Sequence, residues 1–143
     1  MKNLFGMLLA SSVLFFTSCS KDDNNDPSGP SAEVATSLKQ GTWRISSYSD
    51  NGTVKTDVYS SFTFTFAANG TVSATNGLLT ANGNWKTQRD DGKHELDLIF
   101  TTPALFQEID EDWEIVTQNS TQISLKDVND AGTETDLLVF TKN

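Results

Sequence analysis

Few side chains in this sequence could do chemistry. There is one histidine, His94, and one cysteine, Cys19, in 143 residues. A nucleophilic site needs a base within hydrogen-bond reach of the nucleophile and a third group to orient that base. His94 has no second histidine or cysteine to join it, and it directly follows a turn, so it is expected to be structural. The run Glu108-Ile-Asp110-Glu111-Asp112-Trp-Glu114 concentrates carboxylates, but in a loop and on a solvent face water levels their pKa values. They are expected to form a solvated acidic rim. The run Asp127-Val-Asn129-Asp130-Ala131-Gly132 is similar to the start of a calcium loop, but Ala131 and Leu138 stand where such a loop needs a carboxylate or amide and a bidentate Glu. No G-x-S-x-G, H-E-x-x-H, Walker or G-x-G-x-x-G pattern occurs. Neither an enzyme, a cofactor nor a bound metal is expected.

The elements that would position these groups are mostly strands. Pro30-Ser31 reads as a helix start, with Val34 and Leu38 four apart and Gly41 as the stop. Beyond it the apolar period is two. Eight strands are expected, over 43–49, 61–67, 71–75, 82–87, 94–100, 112–118, 122–126 and 135–141. Trp43, Ile45 and Ser47 share one face of the first. Ala68-Asn69-Gly70 closes a hairpin that pairs Phe66 with Val72 and Phe64 with Ala74. Asp90-Asp91 closes another that pairs Trp85 with Leu96 and Gly83 with Leu98.

Eight sequential antiparallel strands with short links make an up-and-down meander, and closing it into a barrel removes the edges. The fold class is therefore all-β: an eight-stranded antiparallel barrel with one short N-terminal helix. By alternation, 50–60, 76–81, 101–111 and 128–134 form long loops at an open mouth, and the tight turns form a closed base. Gly41, Trp43 and His94 fall at the base. Phe62, Phe100 and Trp113 face inward at the mouth, under Leu78, Leu79, Leu105 and Phe106 in the loops. Those loop residues form either a ligand entrance or partner patch, or a lid completing the core. The inward set, with Phe64, Phe66, Val72, Trp85, Leu96, Leu98, Ile115, Ile123, Leu125, Leu138 and Phe140, is too bulky for a wide hollow barrel. At best a shallow pocket is expected near the mouth.

The start of the chain has a different logic. Lys2 precedes 13 apolar residues, Leu4–Phe16, too few for the ~20 that cross a bilayer, so they read as the apolar core of an export signal. Phe16-Thr17-Ser18-Cys19 resembles a bacterial lipobox. That resemblance implies removal of residues 1–18 and lipidation of Cys19 with acyl chains such as palmitate. Each buried CH₂ contributes ~0.8 kcal/mol, so more than one chain anchors stably. The mature chain would carry 19 acids against 9 bases. Residues 20–30 are polar and broken by Pro27, Gly29 and Pro30, which marks a disordered tether from Cys19. Ser20-Lys21-Asp22-Asp23 resembles the acidic surface-export signal of Bacteroidota lipoproteins, which implies the outward face of the outer membrane.

Gly41-Thr42-Trp43 directly after a short helix resembles the G-x-W opening of the lipocalins. The segments FTFTFAANGTV and GNWK resemble the lipocalin-like lipoproteins of Bacteroidota, over roughly 38–143. The resemblance implies that the cation packed on Trp43 is Lys142, since no arginine follows Arg89. The expected function is an outer-membrane lipoprotein that holds a small apolar or amphipathic ligand at its mouth, contacting Phe62, Phe100, Trp113, Phe106, Leu78 and Leu79. The alternative is an accessory module binding a surface protein or glycan through loops 50–60, 76–81 and 101–111. Nucleic acid is an unlikely fit to a net charge of −9.

Overall fold

Alternation is obeyed almost everywhere, and it closes on itself. The computed structural model describes residues 29–143. The leader 1–18, Cys19 and the tether through residue 28 lie outside the described residues. The elements are α1 (Pro30–Leu38), β1 (Trp43–Asp50), β2 (Thr53–Val54), α2 (Thr56–Tyr59), β3 (Thr63–Phe66), β4 (Thr71–Thr75), β5 (Thr80–Asp90), β6 (Lys93–Ile99), a 3-10 helix (Ala104–Ile109), β7 (Asp112–Gln118), β8 (Gln122–Val128) and β9 (Thr135–Lys142). β2 pairs with β1 alone, β1 pairs with β3, each later strand pairs antiparallel with the next, and β1 also pairs with β9. The result is the expected eight-stranded up-and-down barrel, with the two-residue β2 added beside β1.

The Ala67–Thr71 hairpin has the expected register, Phe66 opposite Val72 and Phe64 opposite Ala74. Four local expectations are corrected. The β5–β6 turn is Asp91-Gly92, with φ of 45° and 81°, both left-handed as an Asp-Gly hairpin turn requires. Trp85 therefore faces Leu98, not Leu96, and Thr87 faces Leu96. The slip is even, so every side chain keeps its face. In β1 the register shifts between Ile45 and Ser47, so Tyr48 turns inward in place of Ser47 and is fully buried. Residues 76–79 form a tight turn and not a long loop, because Asn76 Oδ1 accepts the backbone N–H groups of Leu78 (3.0 Å) and Leu79 (2.9 Å). Finally, α1 starts at Pro30 with Gly29 preceding it, and Ser31 is spent elsewhere than on a helix cap.

The barrel interior is solid. Trp43, Tyr48, Tyr59, Phe64, Phe100, Phe106, Trp113 and Phe140 are all fully buried. Most ring pairs in this interior meet edge to face, as in Phe64–Phe140 at 5.2 Å and Phe66–Trp85 at 5.5 Å between centroids, the arrangement ring quadrupoles favour. Every expected inward residue is buried except Ile115, which is half-buried. Gly83 permits one close approach: a Cβ there would lie 2.3 Å from the Ile99 carbonyl oxygen and 2.8 Å from Phe100 Cδ1.

Candidate functional site

At the base, α1 lays Val34 and Leu38 into the barrel, and the Trp43 indole N–H donates to the Leu38 carbonyl at 3.2 Å. Lys142 Nζ lies 5.7 Å from the Trp43 ring centroid, the expected cation–π partner. Gly41 has φ of 83°, and its missing Cβ leaves room for Lys142 Cε. His94 is tied to α1 through Ser31 Oγ at 2.9 Å. A serine bonded to a histidine suggests a nucleophile, but Ser31 is buried and, among the described residues, no acid bonds the other imidazole nitrogen. The pair fastens the helix to the barrel.

The mouth is where the ligand is expected. Phe62 and Phe100 converge there on Phe106, while the Trp113 ring packs on Tyr48 at 6.4 Å, and all four expected residues are buried. Phe106, on the 3-10 helix, occupies the space between the other rings: its centroid is 5.0 Å from that of Phe62, 5.1 Å from Phe100 and 5.8 Å from Tyr59. Three buried donors fix this lid through its carbonyls. Tyr59 Oη donates to Leu105 at 2.7 Å, Tyr48 Oη to Glu108 at 2.9 Å, and Trp113 Nε1 to Ile109 at 3.1 Å. Asp110 Oδ2 accepts from the Phe100 backbone N–H at 2.8 Å and anchors the exit of the loop. Burial and nearby carboxylates hold both tyrosine hydroxyls well above the usual phenol range, so they remain donors. Tyr48 and Tyr59 are additions to the expected mouth. Tyr48 needs the bulge to turn inward, and Tyr59 lies in a loop where period two says nothing.

Leu78 and Leu79 do not join these rings. Leu78 is 98% exposed at the tip of its turn and Leu79 is exposed beside it. Lys55 links the lid to β1, bonding Asp50 at 2.6 Å and Glu108 at 3.1 Å. Beside the lid, Asp50, Glu111, Asp127, Asn129, Glu134 and Asp136 line a hollow of about 200 Å³. Partial burial and mutual repulsion raise the carboxyls of Glu111 and Asp136 above the ordinary range. On the outer face of β6 and β7, acid faces acid: Asp97 opposite Asp112, and Glu95 opposite Glu114. Lys86 meets Asp97 at 2.9 Å, and Lys93 and Lys126 both reach Glu114. Asp97 is buried and its Oδ1 has no partner; burial raises its carboxyl, as it does that of Glu95.

No protein-family model matches the chain, and no curated protein does. Among solved structures it is similar to a DUF4847 family protein from Bacteroides vulgatus, at 20% identity and a TM-score of 0.54, over 77% of this chain and 97% of that one. At that identity the likeness concerns the fold: a small, closed antiparallel barrel.

Proposed function

We propose that the protein is a non-enzymatic binding module, held at the outer membrane by lipid on Cys19 and facing outward, which meets its partner with its exterior. The observation that carries this is Phe106. Its ring takes the volume a mouth ligand would use, and three hydrogen bonds from buried side chains hold the backbone of its 3-10 helix there. The lipobox-like Phe16–Cys19 and the polar tether 20–28 supply the anchor. α1 leads into the closed base, which turns the mouth and walls away from the anchor.

Two experiments test the halves separately. Cys19→Ser should shift the full chain from the membrane fraction to the soluble fraction; continued membrane partition would overturn the anchor. Native mass spectrometry of the full chain taken from its own cells should show no bound small molecule. A stoichiometric apolar adduct would instead support the second reading, a small apolar ligand at the mouth. That reading has one observation in its favour: Phe106 sits on a short 3-10 helix and not on a strand, so a ligand could displace it without breaking the barrel ladder.

A further inference from the structure

We infer that the outer wall formed by β3, β4 and β5 is a docking face for a neutral polysaccharide. This deepens the exterior-binding reading and rests on it. The first observation is charge. The chain carries 19 acids and 10 bases, yet no charged residue occurs from 58 to 85. The uncharged stretch builds β3, β4 and the first half of β5, so charge is missing from one continuous wall and crowded onto the rest.

The second observation is what stands there instead. The inward positions of these strands are Phe64, Phe66, Val72, Ala74, Ala81 and Trp85. The outward positions carry hydroxyls and amides in register. Thr65, Ser73 and Asn82 face one another across three strands, and Thr71 and Asn84 stand in the next row beside the exposed Ile99. Adjacent rungs are about 4.8 Å apart across the sheet and positions on one face about 6.8 Å apart along it. The side chains of Thr65, Ser73, Asn82 and Asn84 make no hydrogen bond to the protein among the described residues, so their donors and acceptors point outward unspent.

The third observation is rigidity. Asn69 Oδ1 accepts from the Thr71 backbone N–H at 3.1 Å and its hydroxyl at 2.7 Å, and Asn76 pins the turn at the other end. A fixed array loses little freedom on binding. These facts select the occupant. Anionic polymers are repelled by the net charge. A charged partner would find no counter-charge on this wall and would lose hydration without compensation. A neutral chain dense in hydroxyls matches the array group for group, and the threonine methyls offer its C–H faces a mild apolar contact.

The test is affinity electrophoresis of the full, detergent-solubilised chain in native gels containing dextran, yeast mannan, laminarin or polygalacturonate. At least one neutral polymer should retard it, and polygalacturonate should not. Asn82→Asp changes one exposed group isosterically, so folding is kept. It should weaken retardation about tenfold, the cost of pressing an unpaired charge into a hydrogen-bonded contact, and Ser73→Asp should do the same. Leu78→Asp, on the turn beyond the wall, should leave retardation unchanged. No retardation by any neutral polymer would overturn the inference, and so would undiminished retardation of the Asn82→Asp and Ser73→Asp variants. A change in sedimentation on these substitutions without retardation would overturn it too, by assigning the wall to self-association. Any of these leaves the exterior-binding reading standing; that reading falls only to a bound apolar molecule in the mass spectrum.

Discussion

Phe106 is the side chain on which the interior depends most. Phe106→Ala should cost about 3–5 kcal/mol, the usual penalty for emptying a buried phenylalanine site, measured by urea unfolding at constant m-value. The same variant should bind a small apolar probe that the native chain excludes, because an apolar cavity stays dry and accepts such guests. Gly83→Ala should cost about 1–3 kcal/mol, since its Cβ would meet a backbone carbonyl that cannot swing away. Asp97 makes a different case. Its carboxylate is buried with one oxygen unpartnered and faces Asp112, while its cation, Lys86, is largely exposed. Asp97→Asn keeps the shape and removes the charge, so it should leave stability at pH 7 unchanged or raised. A clear loss in thermal unfolding would show that the Lys86 pair outweighs the burial cost.

At the level of elements, the lid should respond as a unit. Tyr59→Phe removes the hydroxyl bonded to Leu105 and should cost about 1 kcal/mol. Amide exchange should speed up within 104–110 before it does in β6 or β7; uniform acceleration would mean the lid has no separate opening. The sequence makes the strands legible and the lid only partly so. Period two names a strand and its faces, and Ala68-Asn69-Gly70 fixes a register because its glycine takes the left-handed position. Asp90-Asp91 misplaces the next turn by one residue, since Asp91-Gly92 is the pair that tolerates two positive φ values. The β1 bulge leaves no mark in the alternation of Trp43, Ile45 and Ser47, so alternation omits Tyr48 from the core. The 3-10 helix packs by contacts distant in sequence, which no local pattern records.

On the scale of the whole molecule, charge sets the response to pH. Burial and neighbouring acids raise the carboxyls of Glu95, Asp97, Glu111 and Asp136 in the folded chain. A carboxyl whose folded pKa lies above its unfolded value binds its proton more tightly when folded. These four therefore weaken the fold at neutral pH. Stability should rise as pH falls through their raised values and level off below the unfolded range. Thermal unfolding from pH 7 to pH 4 should show the increase; a monotonic decrease would overturn this account of the four carboxyls. The barrel is legible in the sequence because alternation sums over many strands. The segregation of charge is equally present in the sequence, but it becomes a surface only once register places β3, β4 and β5 side by side.

The closure of the barrel has a mechanical consequence. β1 is laddered to β9 from Trp43 to Ser49 but to β3 only at Trp43 opposite Phe64. The rest of that seam is bridged by Lys55 and Thr56 bonding to the backbone of Tyr48. A chain tugged from ahead of Pro30 would load α1 first and then this seam. The wall of β3, β4 and β5 lies beyond the seam, each strand fully paired to the next. Tension across the barrel would thus find this seam the least laddered line of the cylinder, which would yield by unrolling there while β3, β4 and β5 stayed paired to one another.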